Sequence, residues 1–247
     1  MEDGKLTVRA VERALDILLC FTDETDLGLT ELASRVALHK STVHRLLASL
    51  EGKGFVIRNP STDKYRLGFR IWELSANLAQ SDDPSIVLLP EMEALRDKLG
   101  ETVSLYVRDG MERIRIQAVQ SKQAIRRVAP VGARLPLYVG ASSKVLAAYA
   151  GPDFEREWRV NESWPEGFDI DALYQQLADI RVQGYSTSVE EREAGAAAVA
   201  APIINREGKL AAVLSVSGPA SRLTTKVMLE FVDTVKAAAV RMGKMIR

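Results

Sequence analysis

Residues 39–51 read His39-Lys40-Ser41-Thr42-Val43-His44-Arg45-Leu46-Leu47-Ala48-Ser49-Leu50-Glu51. At about 100° per residue, Val43, Leu46, Leu47 and Leu50 fall on one face of a helix. Ser41, His44, Arg45 and Ala48 fall on the opposite face, with Thr42 and Ser49 at its edge. An apolar back and a front of small polar residues around one long cation suit the major groove of DNA. The small side chains allow close approach, and Arg45 has the donors for guanine O6 and N7. Lys40, Ser41 and Thr42 stand at the helix start, where hydroxyls, a cation and free backbone N–H groups suit a phosphate. His44 is a candidate for a base or a phosphate.

The flanks complete a DNA-binding layout. A first helix is expected from Thr7 as N-cap, with Val8, Val11, Leu15 and Leu18 as its apolar face. An acidic loop over Asp23–Gly28 and a short helix over Thr30–Val36 follow. The tight connection Ala37-Leu38-His39 leads into the third helix, Lys40–Glu51, which Gly52 and Gly54 stop. Phe55–Arg58 and Lys64–Leu67 then read as a hairpin around Asn59-Pro60-Ser61-Thr62-Asp63. Three helices and a hairpin are a winged helix-turn-helix. On the second strand Lys64 and Arg66 share a face, while Tyr65 and Leu67 are expected to point to the core. Arg58 and Lys64 flank the loop within reach of neighbouring phosphates. Any one of these cations alone reads as solvated surface; together with the helix pattern they favour DNA.

Charge follows the same division. Residues 1–34 hold Lys5, Arg9 and Arg13 against eight carboxylates, a net of −5. Residues 35–70 hold eight cations against Glu51 and Asp63, a net of +6. The 247-residue chain balances at zero, with 33 Lys+Arg against 33 Asp+Glu. Its 47% apolar and 27% charged content is that of a globular protein. One cysteine excludes an internal disulfide, and two histidines leave no Cys/His zinc site, so neither metal nor cofactor is expected. The longest apolar run, Ala194–Ile204, falls short of the roughly 18 residues of a membrane span. The opening MEDGK leads into no signal-peptide core. The expectation is a cytoplasmic protein with no membrane partner, associated with the nucleoid when bound to DNA.

From Gly68 to Gln80 a helix with two apolar stripes is expected: Ile71, Leu74 and Leu78, and Trp72, Ala76 and Ala79. One stripe suffices for a surface helix, so the second points to a partner subunit. The polar stretch Ser81-Asp82-Asp83-Pro84-Ser85 marks a boundary. The expected organisation is a winged helix-turn-helix over residues 1–67, a linker helix over 68–83 and a second domain over 84–247. That domain reads as a helix over Ile86–Leu99, then strands Thr102–Arg108 and Arg113–Gln120 around Asp109-Gly110. Helices Ser142–Tyr149 and Ile170–Gln183 follow, then a strand pair Ala197–Asn205 and Leu210–Ser217, and a helix Thr224–Met242. Helices flanking an antiparallel sheet give an α+β class.

The chain resembles the IclR family of bacterial transcriptional regulators. The resemblance is carried by Leu29-Thr30-Glu31-Leu32-Ala33, by His39 to Leu47 and by Tyr65-Arg66-Leu67-Gly68. It continues through Gly184-Tyr185, Glu190-Glu191, Ala200-Ala201-Pro202-Ile203 and Leu214-Ser215-Val216-Ser217-Gly218-Pro219. It implies an N-terminal winged helix, a linker helix and a GAF-like effector domain. It also implies a homodimer or tetramer on a double-stranded, pseudo-palindromic operator, and a small organic acid that alters operator binding.

The same resemblance places the effector at Gly140, Ala141, Ser142, Ser143, Ser188, Ala198, Ser215 and Ser217. The strand pattern agrees in part, because Ser215 and Ser217 alternate with Leu214 and Val216 and share a face. The Ser142 helix offers its N-terminus to an anion. Strand serines by themselves read equally as local hydrogen-bonding groups. The chain departs from the family pattern at Ser143 (usually glycine), Ser188 (often aspartate) and Ala198 (often cysteine). Fewer strong polar groups would favour a ligand with more apolar surface, such as an aromatic acid, over a two- or three-carbon oxoacid.

An enzyme would need machinery that the chain does not supply. Ser142, Ser143 and Lys144 are too close in sequence to face one another on a helix. Both histidines lie on or beside the third helix, and Cys20 fits the apolar side of the first as a core thiol. A DNA-binding domain fused to a module that only dimerises is the other alternative; the serines of the second domain distinguish a sensor from it.

Overall fold

The computed structural model describes residues 7–22, 24–78, 83–126, 130–161 and 164–246, without the side chains of Asn77, Leu78 and Asn161. The chain divides into two compact units, residues 1–81 and 82–247.

The first unit holds α1 (Arg9–Leu19), α2 (Leu29–Arg35) and α3 (Lys40–Gly52), then the hairpin β1 (Val56–Arg58) and β2 (Tyr65–Leu67), then α4 (Phe69–Leu78). Ile17, Phe21, Leu32, Val43, Leu47, Val56 and Tyr65 form its core. Leu27 extends the hairpin by one bridge, exchanging both backbone hydrogen bonds with Tyr65. Gly68 joins hairpin to α4 so closely that a Cβ there would lie 2.2 Å from the Gly54 carbonyl oxygen.

Several expectations are corrected here. Helix α1 begins at Arg9 with Val8 as N-cap and no side-chain cap, so Thr7 does not cap it. Its buried residue is Ile17, whereas Val8, Val11 and Leu15 are exposed and Leu18 is half-buried. Ala14, Ile17 and Phe21 repeat with helical spacing too, and packing against α3 selects that face over the other. Cys20 is half-buried in the single turn Cys20–Thr22 that follows α1. Leu67 is exposed rather than core, because the bridge to Leu27 ends at Tyr65 and nothing extends the sheet beyond it. On α4, Trp72, Leu74 and Ala76 are exposed and Ile71 is half-buried, so the described part of each expected stripe is largely uncovered within this unit. Ala79 and Gln80 of the expected linker helix, Ser81 and Asp82 of the expected boundary, and Asp23 of the acidic loop lie outside the described residues.

The second unit is one antiparallel six-stranded sheet with helices on both faces. Its elements are α5 (Pro84–Val87), α6 (Leu89–Leu99), β3 (Thr102–Asp109), β4 (Glu112–Val119), β5 (Arg134–Pro136), α7 (Ala141–Ala148), α8 (Pro152–Asn161), α9 (Ile170–Gln183), β6 (Ser186–Val189), β7 (Ala196–Ile204), β8 (Leu210–Pro219) and α10 (Thr225–Gly243). The strand order is β5-β4-β3-β8-β7-β6. One face, with Val103, Leu105, Val199, Leu214 and Val216, packs on α6 and α10 through Met92, Met228, Val235 and Met242. The other, with Tyr106, Ala200 and Val213, packs on α7 and α9 through Val145, Leu173 and Leu177. The expected helix over Ile86–Leu99 is two, because Pro90 follows a break at Leu88. Strands β5 and β6 and helix α8 are additions; both strands are short edges, β5 pairing with β4 some twenty residues earlier and β6 with β7 across the loop that follows it.

Candidate functional site

In the first unit, α3 is oriented as its sequence pattern requires. Val43 and Leu47 are fully buried and Leu46 and Leu50 half-buried, while Lys40, Ser41, His44, Arg45, Ala48 and Ser49 are exposed. Thr42 is half-buried. His39 caps the helix, its Nδ1 accepting from the Ser41 N–H at 3.3 Å and lying 2.7 Å from the Ser41 hydroxyl. Ser41 is therefore already engaged by His39, the last residue of the turn before α3. Ala37, at φ 51°, makes that turn.

The hairpin presents its cations unevenly. Arg66 is exposed on β2 and pairs in register with Ile57. Arg58 is held 3.0 Å from Asp63 and lies over the Tyr65 ring. Lys64 is half-buried, 3.8 Å from Glu31. Glu31 in turn accepts the Gly28 N–H at 2.6 Å, and that bond first, then Lys64, lowers its carboxyl below the ordinary range. A phosphate reaching Arg58 or Lys64 thus competes with a carboxylate, whereas Arg45 faces solvent.

In the second unit, strand register assembles the other site. Ser188 on β6 pairs with Ala198 on β7, Ala198 with Ser217 on β8, and Ser217 with Thr102 on β3. One step along, Ser186, Ala200, Ser215 and Ser104 make a parallel row on the same face. Directly opposite β8 across the cavity stands the N-terminus of α7, capped by Gly140 at φ 93°. The cavity between them has a volume of about 50 Å³ and is lined by Gly140, Ala141, Ser142, Ser188, Ala198, Ser215 and Ser217, among others.

Seven of the eight residues expected around an effector thus line one cavity, and Ser143 does not. It is fully buried, and its hydroxyl donates to the Pro136 carbonyl at 2.8 Å. The 100° turn per helical residue carries it away from Ser142 and toward β5.

The larger difference is in polarity. Two arginines, Arg113 and Arg115, line the cavity and are 5% and 2% exposed. Arg113 donates to the Ser142 hydroxyl and Arg115 to the Ser104 hydroxyl at 2.5 Å. Their guanidinium carbons lie 4.7 and 6.0 Å from the Tyr106 ring centroid. The expectation of few strong polar groups is therefore corrected: substitutions at Ser188 and Ala198 remove polarity while β4 supplies two cations. The alternation Arg113-Ile114-Arg115-Ile116 carried the signal, but an Arg face on a strand reads as solvent-facing unless a helix is known to cover it. Glu191 accepts from Lys144 Nζ at 2.7 Å and from the Gly140 N–H at 3.0 Å, closing the rim. No group of three or more His, Cys, Asp or Glu is placed to hold a metal ion among the described residues. No helix among them is long and apolar enough to cross a membrane.

Two family models match the chain: the IclR helix-turn-helix domain over residues 10–60 and the bacterial transcriptional regulator IclR C-terminal over residues 78–243. The HTH-type transcriptional regulator XynR of Escherichia coli (strain K12) is 32% identical over 249 residues, 96% of each chain. An IclR transcriptional regulator from Alicyclobacillus acidocaldarius superposes with a TM-score of 0.80 at 26% identity, covering 97% of this chain and 99% of that one. An IclR homolog from Microbacterium hydrocarbonoxydans, complexed with 4-hydroxybenzoate, gives 0.78 at 28% identity over 95% and 98%.

Proposed function

The chain belongs to the IclR family of bacterial transcriptional regulators, and from that premise we propose that it is a one-component switch whose operator affinity is set by a small organic acid. The exposed front of α3 around Arg45, with Val43 and Leu47 fully buried behind it, is the observation that carries the DNA half. Arg45 reads a base; Lys40, Ser41, Thr42, His44, Arg58, Lys64 and Arg66 position the unit on phosphates or neighbouring bases. In this reading residues 1–67 bind DNA, residues 68–83 are a linker helix and residues 84–247 bind the effector. Gly140, Ala141, Ser142, Ser188, Ala198, Ser215 and Ser217 surround the acid. The Microbacterium relative is complexed with 4-hydroxybenzoate, an organic acid, which supports an acid as effector.

The protein acts as a homodimer or a tetramer in the cytoplasm, at the nucleoid when bound. Exposed Val8, Val11, Leu15 and Leu19 on α1, and Phe69 and Trp72 on α4, support association through the first unit. Two such units read a pseudo-palindrome with half-sites about one helical turn, or a multiple, apart. The acid shifts the equilibrium only by as much as it prefers one of the two arrangements.

Footprinting upstream of the protein's own gene and its neighbours, with and without organic acids, tests this reading. A protected pseudo-palindrome whose occupancy responds to an acid is expected. Binding that is independent of DNA sequence, or deaf to every acid, overturns it.

A further inference from the structure

His39 stands exposed immediately before α3, and its carbonyl accepts the first helical bonds, from the Thr42 N–H at 2.9 Å and the Val43 N–H at 3.1 Å. Its side chain turns back onto the helix. The Ser41 N–H donates to Nδ1 at 3.3 Å, and the Ser41 hydroxyl lies 2.7 Å from the same nitrogen. A backbone N–H can only donate, so Nδ1 is the acceptor nitrogen and a neutral ring carries its proton on Nε2. An unprotonated Nδ1 at that distance takes the hydroxyl proton of Ser41 as well. Both donors of Ser41 are thus directed at His39, while phosphate oxygens only accept. The donor left for a phosphate is Nε2–H, which the bonds received at Nδ1 polarise and strengthen. Among the described residues nothing bonds Nε2 and no carboxylate pairs with the ring, whereas Arg58 and Lys64 face Asp63 and Glu31. Ser41 belongs to the exposed front with His44 and Arg45, so its contact holds the imidazole at the N-terminal edge of that front.

Resting on the reading of α3 as the helix that enters the groove, we propose that His39 is a further DNA contact, its Nε2–H donating to a backbone phosphate. The contact positions α3 and carries no base preference of its own. Capping and DNA binding are linked in this one ring, because the cap fixes the tautomer that faces the phosphate. A neutral donor displaces no counterion, so unlike Lys64 it adds affinity without adding salt dependence.

Two measurements on the full-length chain, in mildly alkaline buffer, test the assignment. Long-range proton–nitrogen correlation spectra of the free protein should show His39 as the Nε2–H tautomer. His39→Ser and His39→Asn keep a good N-cap but place no donor where Nε2 stands. Their melting temperatures are expected to match the parent, while affinity falls about tenfold on operator and random DNA alike and the salt slope stays unmoved. Thermal melts identify a variant whose cap fails, and the other variant, with the tautomer, then gives the reading. An Nδ1–H tautomer overturns the His39 contact. So do Ser and Asn variants that bind both DNAs as tightly as the parent while Arg45→Ala weakens operator binding, a result that leaves α3 the reading helix. DNA binding unmoved by Arg45→Ala and by both His39 variants overturns the α3 reading as well.

Discussion

Lys144 and Glu191 are 47 residues apart in sequence, yet Lys144 Nζ donates to Glu191 Oε1 at 2.7 Å. Lys144 is buried, and Gln176 Oε1 accepts from it at 3.1 Å. Glu191 is partly exposed and also takes the N–H of Gly140. One ion pair thus ties the loop after β6 to the buried helix α7 and to the mouth of the cavity. Lys144→Met is expected to cost about 1–3 kcal/mol, below the roughly 3–5 of a fully buried pair because water reaches the abandoned Glu191. Chemical denaturation measures it; an unchanged midpoint would show the pair to be energetically idle.

Arg45 is the residue whose loss should change sequence preference. Arg45→Ala should weaken specific operator binding by about 1–3 kcal/mol and relax preference at one base pair. Equal losses on operator and random DNA, in gel-shift titrations, would reduce Arg45 to a phosphate contact.

Lys64 should behave differently. Lys64→Ala is expected to weaken operator and random DNA alike and to lower the salt slope of binding by about one. Its neighbour Glu31, 3.8 Å away, dampens the effect at low salt. A slope unchanged between variant and parent rules out a phosphate contact there.

Gly68 and Gly52 make a contrasting pair. A Cβ on Gly68 would sit 2.2 Å from the Gly54 carbonyl oxygen, which is backbone and cannot swing aside. Gly68→Ala should destabilise the first unit by about 1–3 kcal/mol. Gly52, helical and with nothing within 4 Å of its Cβ position, should gain up to about 1 kcal/mol as Ala. Thermal melts of the two variants should move in opposite directions.

Asp97 gives the acid limb of stability a named contributor. The hydrogen bond from Arg96, then that from Lys122, lowers its carboxyl from 3.8 to about 2. A carboxyl depressed in the folded state stabilises above its unfolded pKa, and that contribution fades as pH falls from about 4 to 2. Asp97→Asn should lower the neutral plateau slightly and flatten the fall in melting temperature across that window, so that the two proteins converge near pH 2. A parallel fall in both proteins would remove Asp97 from the account.

The amino-acid order by itself determined α3, the turn before it and the hairpin after it, because each depends on contacts a few residues apart. Val43 and Leu47 at helical spacing define a buried back whatever surrounds them, and the bounds Ile170–Gln183 were legible to the residue, with the Asp169 cap and Gly184 at φ 75° added by the structure. Which face of α1 turns inward was not, since Ile17 and Val11 belong to two equally regular apolar stripes and only α3 distinguishes them. Tertiary structure alone decided the character of the cavity. Register across four strands brings Ser188, Ala198, Ser217 and Thr102 into line, and the cover of α7 turns Arg113 and Arg115 from an apparent solvent face into buried cations. Side-chain alternation along a strand fixes which residues share a face, but what lies over that face is set by chain that arrives from elsewhere.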